Sequence, residues 1–159
     1  MRRLFVALAA FLSIFSLCYA QPKISSGNSS VDITVKRALV VGNDVVIDIV
    51  ITCHNGWNSI ELLGHDDGVW APIVFDDEGN VYKGTGMSGR LAYEADGSRQ
   101  YYNRGLDVTR DVPRKFRLVV KHVDEYATSF ASIKIPYFGN GSNGTTYTMI
   151  IKNLPITRE

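Results

Sequence analysis

The chain has 159 residues and a formal net charge of +1, with 17 Lys or Arg against 16 Asp or Glu. This length suits one domain with a sizeable core, and near-neutrality argues against nucleic acid, which binds to strongly basic faces. The sequence also contains no polybasic segment or amphipathic helix that would hold the protein on an anionic membrane surface.

The first twenty residues have the organisation of a secretory signal peptide. Arg2-Arg3 precedes an apolar run over residues 4–15, and Ala20 supplies the small residue before the cut. The run is shorter than the roughly 20 residues that a membrane-spanning helix needs. A lipoprotein signal is disfavoured, because Leu17 is too bulky for the position before Cys18. We expect cleavage after Ala20, which leaves an exported chain, periplasmic or secreted, without a membrane span and with a net charge of −1.

The next ten residues, 21–30, are polar and rich in serine, so they predict a flexible linker. A single domain is expected over residues 31–159. From Val31 apolar and polar residues alternate, Gly42-Asn43-Asp44 has the chemistry of a turn, and Val45–Cys53 is the strongest strand pattern in the chain. These two strands predict a β-hairpin.

Cys53 is the sole cysteine after cleavage, which makes an intramolecular disulfide impossible. Period-2 counting places its side chain on the same face as Ile47, Ile49 and Ile51. We therefore expect Cys53 to pack as a small buried hydrophobe. The adjacent His54 points to the opposite face of such a strand, so the pair does not predict a thiol nucleophile with its base.

Short strand patterns recur to the end of the chain, and residues 83–112 are the hardest part to interpret. The other strands are predicted over 60–63, 69–75, 81–82, 91–93, 114–122, 131–137 and 147–154. About seven to nine short strands without an amphipathic helix predict an all-β fold. We favour an immunoglobulin-like antiparallel β-sandwich over a closed barrel.

A family resemblance follows from two stretches. Residues 75–82 contain a D-x-x-G-x-x-Y hairpin pattern, and Asp111-Val112-Pro113 later leads into the apolar alternation of residues 116–120. This order resembles small exported immunoglobulin-like domains of uncharacterised bacterial proteins. The leader that ends in Ala-Gln is similar to those of Bacteroidetes. The resemblance implies an interaction module without a catalytic site.

Acidic side chains in the predicted loops are candidate metal ligands. Asp66 and Asp67 share one loop, and Asp76 and Asp77 share another. Hard carboxylate oxygens on loops suit calcium, but the D-x-D-x-D-G spacing of a calcium loop is missing. A calcium-dependent domain is therefore an alternative, and no cofactor is expected.

Aromatic residues supply the main binding hypothesis. Trp57, beside Asn55 in a short loop, is the best candidate for an exposed ring, and Tyr101 and Tyr102 lie in the irregular stretch. Exposed rings stack on sugar faces or anchor a protein partner.

Together these features predict an exported, non-catalytic binding module of the cell envelope. It would contact protein or glycan through its end loops. The alternatives are a structural or assembly component that pairs through an edge strand and a small hydrolase. No catalytic constellation supports the hydrolase, so we expect no enzyme.

Overall fold

The computed structural model describes residues 21–64, 70–85, 89–95, 104–140 and 145–158. These residues form eleven strands and no helix, so nothing in them spans a membrane as a helix. The strands are β1 (Lys23–Ser25), β2 (Val31–Val41), β3 (Asp44–Cys53), β4 (Ser59–Leu62), β5 (Ile73–Asp76), β6 (Val81–Lys83), β7 (Leu91–Ala95), β8 (Arg104–Asp107), β9 (Arg114–Val120), β10 (Ser129–Gly139) and β11 (Tyr147–Pro155).

The strands form two antiparallel sheets. Sheet A has the order β1-β11-β10-β4-β8, and the β5–β6 hairpin joins it through β10. Sheet B has the order β2-β3-β9-β7. The long strand β10 pairs with two strands on the same side. Its first half pairs with β5, and its last three residues pair with β4. The predicted all-β antiparallel sandwich is confirmed.

The core lies between the inner faces of the two sheets. Sheet B contributes alternate residues of β3 and β9, and sheet A contributes alternate residues of β10 and β11. This alternation is the expected result of a strand with one face in the core and the other in water. Cys53 is fully buried in this cluster, as its position in the β3 pattern predicts. The largest fully buried side chains include Tyr82, Tyr137, Phe116 and Phe130.

The predicted hairpin is the β2–β3 pair. Its two strands are in register from Val31 opposite Cys53 to Val41 opposite Asp44. Gly42 turns the chain with a φ of 64°, and a positive φ at the first turn residue suits a two-residue hairpin loop. A β-bulge between Val35 and Arg37 shifts the register within β2.

Sheet B has the edge strands β2 and β7, so the more hydrophobic β3 is an inner strand. Strand β2 is partly covered. Its second half is covered, because Val40 N–H donates to Thr157 and Thr157 N–H donates to Ala38. At its start His54 N–H donates to the Ser30 carbonyl. By antiparallel alternation, the N–H and C=O groups of Ile33 then point away from β3.

Strand β1 lies inside the segment for which the sequence predicts a flexible linker. Lys23, Ile24 and Ser25 pair antiparallel with residues 150–152 of β11, so they extend sheet A by one strand. Polar composition does not prevent this pairing, because the ladder uses backbone groups that every non-proline residue carries. Strands β1 and β8 lie outside the predicted strands, of which about seven to nine were expected, and they contribute to the eleven in the described residues.

A charged cluster occupies the outer face of sheet B. The Asp48 side chain is 4% exposed and accepts hydrogen bonds from Arg37 (2.6 Å) and Arg117 (2.8 Å), with Lys115 at 3.3 Å. Burial raises the pKa of Asp48, but these cationic donors outweigh it and hold the pKa below its ordinary value. Asp48 thereby joins strands β2, β3 and β9 through their side chains.

Candidate binding surface at one end of the sandwich

Four connecting segments meet at one end of the sandwich, where β3 and β10 end and β4 and β11 begin. We call this surface the loop end. Its described residues are 26–30, 54–58 and 108–113, together with 139–140 and 145–147 from the β10–β11 connection. Backbone hydrogen bonds hold its segments together. Asn140 N–H donates to Ser59 (2.9 Å), and Val108 N–H donates to Asn58 (3.0 Å). The loop end is therefore a fixed surface, in which two candidate residues from the sequence, Trp57 and Asn55, lie close together.

Trp57 is half-buried and lies against the backbone of Gly139. An ideal Cβ on Gly139 would overlap the indole atoms Cδ2, Cε3 and Cε2 of Trp57, so only glycine leaves room for the ring. The ring centroid of Tyr147 lies 5.7 Å from that of Trp57 with a tilt of 41°, and Tyr137 lies 5.6 Å beyond Tyr147. Trp57 and Tyr147 thus form a partly exposed aromatic pair above the buried Tyr137.

Three amide side chains belong to the same loop-end segments as the aromatic pair. Asn55 Oδ1 accepts a hydrogen bond from the backbone N–H of Trp57 at 3.1 Å, which shapes the loop. Asn140 Nδ2 donates to Asn58 Oδ1 at 2.6 Å, which ties the 54–58 loop to the end of β10. Asn58 and Asn140 are exposed at the loop end, where each follows in the chain a residue of the Trp57–Gly139 contact.

His54 forms a second cluster at the same end, which the sequence does not predict. Its Nδ1 lies 2.7 Å from Asp111 Oδ1, and its Nε2 lies 3.0 Å from Asp32 Oδ2. The hydrogen bond to Asp111, and then that to Asp32, raise the pKa of His54 above its ordinary value. The His54 imidazole thereby links the β8–β9 connection to the β2–β3 hairpin.

The Asp111 backbone explains how this cluster forms. Asp111 has a φ of 60°, and its N–H donates to the Cys53 carbonyl at 2.8 Å. Aspartate tolerates this left-handed conformation better than most residues. In the sequence, Asp111-Val112-Pro113 stands out only as the stretch that leads into the alternation of residues 116–120, and nothing there identifies His54 as the partner of Asp111.

The Cys53 thiol is turned away from this cluster and into the core. Burial raises its pKa to about 11, so the thiol is protonated at neutral pH. A catalytic cysteine needs an accessible thiolate. The geometry therefore separates Cys53 from His54, as expected for neighbours on one strand.

The candidate metal ligands Asp76 and Asp77 lie at the opposite end of the sandwich, in the β5–β6 turn. Asp76 is buried and accepts hydrogen bonds from the backbone of Glu78 and Asn80, from Asn80 Nδ2 and from Tyr82 Oη at 2.8 Å. These contacts make Asp76 the centre of the turn.

Asp77 holds the chain segment before β10. It accepts hydrogen bonds from Thr128 N–H and Oγ1 and from Ser129 N–H. Partial burial raises the pKa of Asp77, but these bonds outweigh it and the pKa lies below its ordinary value. In the described part of the chain no group of three or more His, Cys, Asp or Glu is placed to hold a metal ion. Asp66, Asp67, Tyr101 and Tyr102 lie outside the described residues.

Comparisons with known proteins identify no family. No family model matches the chain, and no curated protein matches it. Among solved structures, it is similar to self-complemented MyfA, the major subunit of Myf fimbriae from Yersinia enterocolitica, in complex with galactose, with a TM-score of 0.42 and 7% identity. The similarity covers 86% of this chain and 99% of that chain. The Bacteroidetes-type origin stays a prediction.

Proposed function

We propose that this chain is an exported, non-catalytic binding module of the cell envelope that holds a glycan or protein at its loop end. The observation that carries the proposal is the partly exposed Trp57–Tyr147 pair, on the same loop end as the exposed amides of Asn58 and Asn140. Aromatic rings offer large contact areas at low entropic cost. Amides supply the donors and acceptors that orient a polar ligand.

The hydrogen-bonded backbone of the loop end supports this function. Gly139 seats the Trp57 ring, and backbone hydrogen bonds fix the segments around it. A surface ordered before binding loses less conformational entropy when the ligand arrives. Export is proposed from the leader over residues 1–20, whose basic start and apolar run fit a signal peptide.

The chemistry of the loop end favours a glycan over a protein. A sugar ring has an apolar face that packs on an aromatic ring, and its hydroxyls match the amides of Asn58 and Asn140. The direct test compares binding of wild-type protein and a Tyr147→Ala variant to a panel of neutral polysaccharides. Tyr147 is preferable to Trp57 for the first test, because its removal leaves the Gly139 contact in place.

Trp70→Ala is the matched control, since Trp70 is 46% exposed and lies outside the loop end. We expect Tyr147→Ala to weaken binding about tenfold or more, as for an aromatic hot spot, and Trp70→Ala to leave it unchanged. Equal binding by Tyr147→Ala and wild type would refute the loop end as the ligand site.

A second candidate function is assembly through the free edge of β2. It is supported by the outward peptide groups of Ile33, which an extended strand from a partner would pair with. The bulge before Arg37 and the contact with Thr157 limit this edge to the first half of β2. Proline at position 33 would remove the outward donor and spare the bonds to β3, whereas proline at position 34 would break that ladder.

Sedimentation velocity over a range of concentrations tests this assembly function. We expect the wild type to self-associate, Ile33→Pro to remain monomeric with an unchanged fold, and Thr34→Pro to unfold. A wild type that stays monomeric at every concentration would remove the support for self-assembly through this edge.

A further inference from the structure

The outer face of sheet A carries four lysines from four different strands. Register places Lys83, Ile73, Lys134, Ile150 and Ser25 in one row across the sheet, and Val81, Phe75, Ser132, Lys152 and Lys23 in the adjacent row. We call these ten residues the lysine face. Their strand neighbours Tyr82, Val74, Ile133 and Ile151 are buried, so alternation directs the lysine face outward.

The charge of this face is not compensated. All four lysines are exposed, neither row contains an acid, and the salt bridges of the described residues include none of the four. The residue that follows β5 in the chain is Asp77, whose carboxylate already accepts hydrogen bonds from Thr128 and Ser129. The lysine face therefore presents a positive field on a chain of near-zero net charge.

Two details are unfavourable for the fold. Lys23 lies directly opposite Lys152 in the β1–β11 ladder, and like charges in opposite positions destabilise a sheet. Ser132 Oγ is buried on this face, without a hydrogen-bond partner in the part of the chain that the structure describes. A bound anionic group beside Lys23 and Lys152 would relieve the repulsion between these two exposed charges.

The spacing of the four lysines indicates the kind of partner that the lysine face fits. Lys83 and Lys134 are two strands apart, about 10 Å, and Lys134 and Lys152 are diagonal neighbours at about 7–8 Å. The two rows cross five strands and extend over about 19 Å. Flexible lysine ammonium groups serve as point charges for separate anionic groups. The face thus matches a linear chain with repeated negative charges.

We propose that the lysine face binds an acidic polysaccharide, at a surface distinct from the loop end. A membrane surface fits less well, because Val81 is the only residue of this face with a large exposed apolar side chain, at 48%. The other apolar members, Ile73, Phe75 and Ile150, are half-buried, and lysine stems cover such neighbours. Charge, and not apolar insertion, is what this face offers.

The test measures binding of the full protein to immobilised polygalacturonate and heparin, with dextran as the neutral polymer. The variant Lys134→Glu/Lys152→Glu changes the lysine face. It is also expected to keep or raise the melting temperature, since Lys152→Glu places a carboxylate opposite Lys23. Lys36→Glu/Lys121→Glu, with the same change in net charge on other surfaces, is the matched control. A milder pair, Lys134→Gln/Lys152→Gln, tests the same sites without charge reversal.

We expect salt-sensitive binding to one or both acidic polymers and none to dextran. Lys134→Glu/Lys152→Glu should lower the affinity about tenfold or more and reduce its salt dependence. Lys134→Gln/Lys152→Gln should lower the affinity less. The control Lys36→Glu/Lys121→Glu should bind as wild type does. Tyr147→Ala should retain this binding, which separates it from the loop-end function.

Several outcomes would overturn the lysine face as a polysaccharide site. One is the absence of binding to either acidic polymer at low salt. Another is an equal loss in the Lys134/Lys152 and Lys36/Lys121 variants, which would indicate a response to net charge alone. Binding to vesicles containing phosphatidylglycerol but to neither polymer would replace the polysaccharide with a membrane surface.

Discussion

The contact between Trp57 and Gly139 makes a sharp prediction. Gly139→Ala adds one methyl group where the indole ring already lies, against the backbone of β10. Either the Trp57 ring must move away from Gly139 or the backbone must shift, because rotation of a methyl group cannot relieve the overlap. Because this residue is at the loop end, the change should affect both stability and the candidate binding surface.

The expected cost of Gly139→Ala is about 1–3 kcal/mol, the usual range for overpacking a well-filled site. For a domain of this size, 2 kcal/mol lowers the melting temperature by roughly 6–10 °C. Trp57→Ala removes a half-buried ring and should cost about 2 kcal/mol, less than the 3–5 kcal/mol of a fully buried one. In the Trp57→Ala background, Gly139→Ala should cost close to nothing, because the overlap is gone.

The assay is a double-mutant cycle by denaturant unfolding, which isolates the Trp57–Gly139 interaction. Gly56→Ala is the matched control, since a Cβ on Gly56 meets nothing within 4 Å and the residue lies in the same loop as Trp57. A shift in Trp57 fluorescence, measured in a Trp70→Phe background, should accompany Gly139→Ala. The reasoning fails if Gly139→Ala costs the same with and without the Trp57 ring.

Three further predictions concern charged groups. Asp48→Asn should lower stability by about 2 kcal/mol at neutral pH. The folded-state pKa of Asp48 lies below its ordinary value. The stability that Asp48 contributes is therefore present above about pH 4 and is lost as the pH falls through the folded-state pKa. The folded-state pKa of His54 is raised above its ordinary value. The stability that His54 contributes is therefore fully present below about pH 6.5 and is lost as the pH rises through the folded-state pKa. His54→Gln should remove this pH dependence of stability. Asp76→Ala should cost about 3–5 kcal/mol, because it leaves the buried hydroxyl of Tyr82 and the turn amides without their acceptor.

Thermal or denaturant unfolding at a series of pH values checks all three. For Asp48, a stability difference between Asp48→Asn and wild type that stays constant from neutral pH to about pH 2 would contradict the expected loss of stability at low pH. For His54, the control is His122→Gln, which should keep the wild-type loss of stability as the pH rises above about 6.5. For Asp76, Glu78→Ala is the control in the same turn, and an equal small effect in both variants would show that the Asp76 carboxylate does not hold the turn.

Several elements could be predicted because their causes are local. The alternation of β3 places Ile47, Ile49, Ile51 and Cys53 on one face, and the side-chain period of a strand is set by its own backbone geometry. Gly42 predicted the β2–β3 turn because a positive φ carries no steric penalty for glycine. Strand β1 was missed for the opposite reason. Its three residues form a strand through pairing with β11, over 120 residues away in the chain.

The loop end was predicted in its residue types but not in its geometry. Trp57 and Asn55 stood out because a tryptophan in a polar loop needs an explanation. The Trp57 ring lies against Gly139 and packs beside Tyr147. Both residues are far from Trp57 in the sequence, and no pattern around them predicts the contact.

The sequence by itself determined the β class, the core face of each regular strand and the burial of Cys53, because these follow from alternation and turn chemistry within a few residues. The tertiary structure alone decided which surface residues are neighbours. Lys23, Lys83, Lys134 and Lys152 are isolated charges along a near-neutral chain, and strand pairing brings them to one face. Sheet order is a long-range property, set by which edges bury the core best, so it leaves no pattern in the spacing of the residues that it brings together.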